Sequence, residues 1–336
     1  MNQQHLDAAL ELLEPAPQGC FAGRGDPRDP RLGEHVVQLS RHTRQADLAV
    51  VGCPDEAGLL LNGGRPGAAL GPDAIRAALY GLTVGCTPPV TGLTLVDAGN
   101  VRPGQDQRQT HDRVDQVVRA LAEMATVVVL LGGSHDLSYP GVRGYARARG
   151  GKVGTLLLDA HLDIRDLRRG RTNGSPFHLL MEQGHLQGPD FVVLGAQPWA
   201  NSPHYAAELE RRGGTVHWLD DMGEDGATIM AEELRSLSAR REHLAVSLDI
   251  DVAPQAAAPG TGSPGSVGLS PLGLVACARL AGACTSVGYL DVMEVSPPLD
   301  LDGRTALLAA TIIFGFLAGL VTRLEPPGDP DPRRAP

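Results

Sequence analysis

Val153-Gly-Thr-Leu-Leu-Leu-Asp-Ala-His-Leu-Asp163 is an apolar run that breaks off into carboxylates and an imidazole, and two other stretches of the chain behave in the same way. They are Thr126-Val-Val-Val-Leu-Leu-Gly-Gly-Ser-His135 and His243-Leu-Ala-Val-Ser-Leu-Asp-Ile-Asp251. Each reads as a strand buried on both faces, as in parallel sheets, and in open α/β sheets ligands bind at the carboxyl ends of such strands. His135, Asp159, His161, Asp163, Asp249 and Asp251 are therefore expected to converge. If residues 159–163 stay extended, their spacing of two sends Asp159, His161 and Asp163 out on one face.

Four carboxylates and two imidazoles gathered in one place repel one another unless a counter-charge joins them. Divalent cations supply it. Six ligands exceed a closed tetrahedral zinc site and suit two metals about 3.5–4 Å apart that share carboxylates and a hydroxide. Oxygen-rich ligation with a minority of imidazole favours manganese over zinc. A lone Asp-x-His-x-Asp is commonly a solvated strand end; its company with His135 and the Asp249, Asp251 pair at two other strand ends makes the metal reading the stronger one.

Eight apolar runs punctuate the chain, at 48–52, 93–96, 126–131, 153–158, 191–194, 215–219, 244–248 and 287–292. Helical patterns fall between most of them, as at 111–125, 203–213 and 227–240. Strands alternating with helices predict a parallel sheet covered on both faces. Periodicity does not separate an open sheet from a closed eight-stranded barrel. Residues 1–45, rich in Pro, Gly and charge, predict a short helix and a loose arm, and residues 325–336 predict a disordered tail. The apolar stretch Ala306–Val321 is 16 residues long. A bilayer needs roughly 20, so no membrane span is expected. It reads instead as a C-terminal helix buried all round, against the sheet or a neighbouring subunit.

With 39 acidic and 29 basic residues the net charge is −10, which argues against a nucleic-acid partner. Aromatic residues make up 4% of the chain, so stacking platforms for bases are scarce. The five cysteines form no Cys-x-x-Cys pair and read as reduced thiols of a cytoplasmic protein. The first 14 residues lack the basic segment of a secretory signal. The Gly- and Pro-rich stretches 62–68 and 255–266 are expected to wall the site, and neither carries a phosphate-cradling Walker pattern.

Gly132-Gly-Ser-His-Asp136, Asp159-Ala-His-Leu-Asp163 and Ser247-Leu-Asp-Ile-Asp251 resemble the three metal motifs of the ureohydrolases, the arginase, agmatinase and formimidoylglutamase family. Gly64-Arg-Pro-Gly-Ala68, Gly71-Pro-Asp-Ala-Ile-Arg76, Ala258-Pro-Gly-Thr-Gly262 and Asp291-Val-Met-Glu-Val-Ser-Pro-Pro-Leu-Asp300 extend the resemblance, in the family's order, from about Ala46 to about Leu324. It implies a three-layer α/β/α sandwich around an eight-stranded, mostly parallel, arginase-like sheet. Residues 46–324 would then form one catalytic domain between an N-terminal arm, 1–45, and a tail, 325–336. It implies two Mn2+ ions held by His135, Asp159, His161, Asp163, Asp249 and Asp251, and a bridging hydroxide that attacks an amidine carbon. Glu294 matches the family's acid for the amidinium or guanidinium group, where a carboxylate gives a charge-assisted pair. Members of the family assemble as trimers or hexamers, so a homo-oligomer is implied as well.

Departures from the family narrow the substrate. Arginases and agmatinases carry a His-Gly pair shortly after Asp-x-His-x-Asp, as a proton shuttle to the leaving group; this chain has Asn173-Gly174 there. Asn is no general acid near neutral pH, so the role is missing or moves to His178 or water. Formimidoylglutamases lack that His too, and Leu194-Gly-Ala-Gln197 is similar to their Gly-Ile-Gln segment, although Pro198 stands where an Arg is common. Formimidoylglutamate brings two carboxylates, for which Arg165 and Asn173 are the expected donors.

The reading that follows from the resemblance together with these departures is cleavage of N-formimidoyl-L-glutamate to L-glutamate and formamide, a step of histidine degradation, and the ligand set with the missing His makes Asp163 the expected relay of the proton to the leaving nitrogen. The alternative is a guanidino-acid ureohydrolase of guanidinobutyrase, arginase or agmatinase type that releases urea. A non-catalytic metal-binding homologue is more remote, and a deacetylase of this general fold would need tandem histidines that the chain lacks.

Overall fold

The computed structural model describes residues 3–222 and 226–324. Its ten strands form one sheet: β1 Leu13–Glu14, β2 Val36–Gln38, β3 Ala46–Gly52, β4 Leu95–Val101, β5 Ala125–Leu131, β6 Gly154–Leu158, β7 Phe191–Ala196, β8 Thr215–Trp218, β9 Leu244–Asp249 and β10 Val287–Met293. The order is β1-β4-β3-β5-β10-β9-β6-β7-β8, with β2 also on β4. Every pairing is parallel except β1 with β4. The sheet is open, and all eight apolar runs are strands of it.

Both faces of the sheet are buried, which is why the runs show no polar alternation. Side chains alternate along each strand, so β5 sends Val127, Val129 and Leu131 into one apolar layer and Val128 and Leu130 into the other. In β9 Leu244, Val246 and Leu248 go one way and Ala245 the other. The helices Gly71–Gly81, Ala227–Ser238, Pro271–Ala283 and Arg304–Leu324 cover the first layer; Gln3–Leu10, Gln107–Ala122, Ser138–Ala148 and Pro176–Glu182 cover the second. The result is the α/β/α sandwich.

The arm departs from the sequence expectation. Residues before Ala46 supply β1, β2 and a helix, and bury Leu6, Ala9, Leu13 and Leu32, so this segment is docked on the sheet edge and is not loose. With β1 and β2 the sheet has ten strands, where eight are expected. The expected tail, 325–336, lies outside the described residues.

Helix Arg304–Leu324 is long and apolar enough to cross a membrane, yet it lies in the core against helices Pro271–Ala283 and Gly71–Gly81. It is buried on most of its surface and not all round, because Leu307 and Thr311 emerge on one stripe. Its approach to Pro271–Ala283 requires glycine: a Cβ on Gly319 would lie 2.0 Å from the Arg279 carbonyl oxygen.

Sheet order positions the site. β5, β10, β9 and β6 are consecutive neighbours and run parallel, so the segments that follow them leave from one edge, side by side. Those segments hold His135, Glu294, Asp251 and Asp159 through Asp163, and Asp249 is the last residue of β9 itself.

Candidate metal centre and active site

His135 opens the 3-10 turn His135–Leu137, which leads from β5 into helix Ser138–Ala148. The turn is held close to its neighbour because Gly133 has no side chain, and a Cβ there would lie 2.0 Å from the Asp55 carbonyl oxygen. On the other strand ends the aspartates fold their own loops. Asp159 Oδ1 accepts from the His161 N–H at 2.6 Å, and Asp249 Oδ1 accepts from the Asp251 N–H at 2.9 Å. Such Asx closures stop the strand. β6 therefore ends at Leu158, residues 159–163 are not extended, and the common face expected from a spacing of two does not exist.

Convergence comes from the loop instead. Asp163 takes a left-handed backbone, φ +48°, which brings its Oδ2 to 2.8 Å from His135 Nδ1. Asp159 Oδ2 and Asp249 Oδ2 each stand 3.3 Å from the same nitrogen. His161 Nδ1 lies 3.2 Å from Asp159 Oδ1 and 3.2 Å from Asp251 Oδ2. Two triads result, His135–Asp159–Asp249 and Asp159–His161–Asp251, each with its ligand atoms within 4.8 Å of one another. Asp159 belongs to both, so one carboxylate would serve both cation sites.

Charge in the cluster is unbalanced without cations. Burial and the neighbouring Asp163 and Asp251 push Asp159 up to about 6, and burial with Asp251 and Asp159 lifts Asp249 well above the usual range. Burial disfavours charge on both imidazoles, yet the carboxylates outweigh it and drive His135 and His161 upward. Asp251 is held low by His161 against the effect of burial. His135 Nδ1 and Asp159 Oδ2 are buried with no hydrogen-bond partner. Oxygen-rich donors, a shared carboxylate and two unsatisfied ligand atoms fit a pair of divalent cations.

A buried chain behind the cluster fixes the His135 tautomer. Tyr289 Oη donates to Asp291 Oδ2 at 3.0 Å, Ser247 Oγ donates to Asp291 Oδ1 at 2.6 Å, and His135 Nε2 is 3.0 Å from Ser247 Oγ. Because the serine proton goes to Asp291, its oxygen accepts from Nε2–H, which leaves Nδ1 as the ligand nitrogen. Sequence reading missed this support. A serine at a core position of an apolar strand was its signal, since a buried hydroxyl needs a partner.

Glu294 follows β10 with φ +66°, and its Oε1 accepts from the His135 N–H at 2.8 Å and from Asn173 Nδ2 at 3.2 Å. Burial raises its pKa to about 7. Glu294 and Asn173 line one cavity with Asp163, Asp249, Asp251 and His161. Arg165 lines it too and lacks a carboxylate partner among the described residues. His178 does not line it. Gly174 lines it as well, as do Asn62 and Ser263 from the two loops expected to wall the site, and Arg65 ties those loops together by donating to the Thr261 and Gly262 carbonyls.

The stretch after β7 has a positioning role. Asn201 Nδ2 donates to the Ala160 carbonyl at 2.8 Å and its Oδ1 accepts from the Leu162 N–H at 3.0 Å, which clamps the turn bearing Asp159, His161 and Asp163. Among the basic residues near Arg165, Arg168 pairs with Asp166 and Arg171 lies over the Tyr139 ring.

Comparison with known proteins agrees with this geometry. Formimidoylglutamase of Corynebacterium efficiens is 35% identical over 274 residues, 79% of this chain and 82% of its own. The Bacillus subtilis formimidoylglutamase structure superposes with a TM-score of 0.84 at 25% identity, covering 91% of this chain and 95% of that one. The Trypanosoma cruzi formiminoglutamase with two Mn2+ ions gives a TM-score of 0.80 at 29% identity, covering 88% and 99%. A family model matches residues 46–319, the stretch that carries every residue of the cluster, and by that match and these relatives the chain belongs to the arginase family.

Proposed function

We propose that the protein is a two-manganese hydrolase that splits N-formimidoyl-L-glutamate into L-glutamate and formamide. Water adds to the formimidoyl carbon, the bond from that carbon to the glutamate nitrogen breaks, and the nitrogen leaves with a proton. His135, Asp159, His161, Asp163, Asp249 and Asp251 are the metal ligands in this reading. These residues would hold two Mn2+ ions, whose chemistry would be to lower the pKa of a water to near neutrality and to polarise the substrate.

The chain's own groups do the rest. Glu294 pairs with the amidinium, and its fixed carboxylate aims the carbon into the cluster. Asp163 receives the proton of the attacking water and passes it to the leaving nitrogen. Arg165 pairs with a substrate carboxylate. The observation that carries the substrate choice is Asn173, which occupies the position of a shuttle His and donates to Glu294. An amide there serves orientation, and the site beside it presents Arg165 without a carboxylate partner among the described residues. A guanidino monoacid is the second reading, because the same Glu294 fits a guanidinium.

The test is kinetic: Arg165→Ala should raise KM for N-formimidoylglutamate by about tenfold or more, as expected for loss of a charge-assisted contact. Equal KM values in the two proteins would refute the carboxylate role. Assembly as a homo-oligomer, a trimer or hexamer, is proposed with it, on the exposed Trp199, Val267 and Leu272, and light scattering checks it. Cytoplasmic residence is proposed on the five cysteines, none of them in a disulfide among the described residues.

A further inference from the structure

Asn62 sits at the mouth of the site and touches neither the aspartates nor the histidines of the cluster; it joins Arg165 to Glu294. Arg165 Nη1 donates to Asn62 Oδ1 at 3.4 Å, Asn62 Nδ2 donates to Asn173 Oδ1 at 2.9 Å, and Asn173 Nδ2 donates to Glu294 Oε1 at 3.2 Å. The two ends fix the sense of this chain. Arginine only donates, and Glu294 Oε1 already serves as an acceptor for the His135 N–H, so each amide between them has one orientation that keeps donor facing acceptor. Reverse either amide and an oxygen faces an oxygen.

We infer that Asn62 is a positioning residue: it locks the Asn173 amide so that its NH2 faces Glu294, which spends Oε1 on that bond and presents Oε2 to the amidinium of the substrate. A Cβ built on Gly262 would lie 3.5 Å from Oε2, so that oxygen is turned toward the 255–266 loop, whose Ser263 lines the cavity with Glu294. The inference deepens the proposed reaction and rests on it for the amidinium. It also gives a physical reason for asparagine at 173. The position must accept from one side and donate to the other at once, which an amide does at any pH and an imidazole loses as soon as it is protonated.

The discriminating change is Asn62→Asp, which keeps size and shape and strengthens the contact with Arg165 but removes the donor to Asn173. A packing role, or a role confined to holding Arg165, survives this change. Positioning does not. The expected result, at unchanged metal content and melting temperature, is a loss of about tenfold or more in kcat/KM, since small misplacements of orienting groups carry such costs. In an Asn173→Ala background the same change should cost less than about twofold, because the two residues act as one unit. Losses that multiply, or a fully active Asn62→Asp enzyme, would overturn the inference.

A crystal structure of Asn62→Asp gives a readout free of turnover. The Asn173 amide is expected to have turned away from Glu294, and an intact Asn173–Glu294 hydrogen bond would also overturn it. Kinetics are run on whichever of N-formimidoylglutamate, arginine, agmatine and 4-guanidinobutyrate the wild type hydrolyses. Failure on N-formimidoylglutamate alone removes the substrate reading and leaves the Asn62 test in force.

Discussion

Asp163 and Glu294 are two of the three non-glycine residues with positive φ among the described residues, and both line the cavity. Left-handed backbone at such residues costs on the order of 1–3 kcal/mol each and persists where the surrounding structure demands it. Here it aims Asp163 at His135 and turns Glu294 into the cluster. Asparagine tolerates the same backbone, so Asp163→Asn should fold normally yet lose about a hundredfold or more in kcat, the usual scale of a missing proton-transfer group. Steady-state kinetics with metal content measured on the same sample decides it. Both metals retained with full activity would sink the relay. For Glu294→Gln the shape stays and the charge goes. A drop of about a hundredfold in kcat/KM is expected for the loss of one partner of a buried charge pair, read from initial rates at saturating Mn2+.

Elements buried on both faces wrote themselves plainly into the chain: Thr126 to Leu131 and Leu244 to Leu248 are strands because neither face meets water. β1 and β2, two and three residues long, left no such signal, since pairing with β4 makes them strands. The ligand list was legible because strand ends concentrate function. The path through residues 159–163 was not, because Asp159 closes its own turn and Asp163 adopts a backbone that no periodicity reports. Asn62 was hidden for a similar reason: its partner lies 111 residues away. The contact of helices Pro271–Ala283 and Arg304–Leu324 offers a test at this level. Gly319→Ala should gain up to about 1 kcal/mol of helix propensity but force the backbones apart at Arg279. Overpacking of this kind costs about 1–3 kcal/mol, so a net loss of stability is expected in urea titration, and a gain would contradict the packing.

The whole molecule should show the cluster in its pH response. Asp159 at about 6, Asp249 raised, and Glu294 at about 7 all bind protons more tightly folded than unfolded, where carboxyls titrate near 4. For such groups the stabilisation is present at low pH and is lost as pH rises through the folded values. His135 and His161 have the same sign: raised by their carboxylates, they stabilise below their ordinary value of 6.5 and cease to as pH climbs through their raised values. Asp251 has the opposite sign, and its folded value below 3.8 places its effect at lower pH. Metal-free protein should therefore melt at lower temperature at about pH 8 than at about pH 5.5, and added Mn2+, which displaces those protons, should stabilise most at the higher pH. Calorimetry showing the larger Mn2+ effect at the acid end would contradict this charge balance.

Product identity tests the assignment most directly. The protein loaded with Mn2+, and the same protein stripped by a chelator, are incubated with N-formimidoyl-L-glutamate, arginine, agmatine and 4-guanidinobutyrate, and products are followed by proton and carbon NMR. Formamide and glutamate, formed only with metal, are the predicted result. Urea from a guanidino substrate with N-formimidoylglutamate untouched, or turnover that survives metal removal, would contradict it.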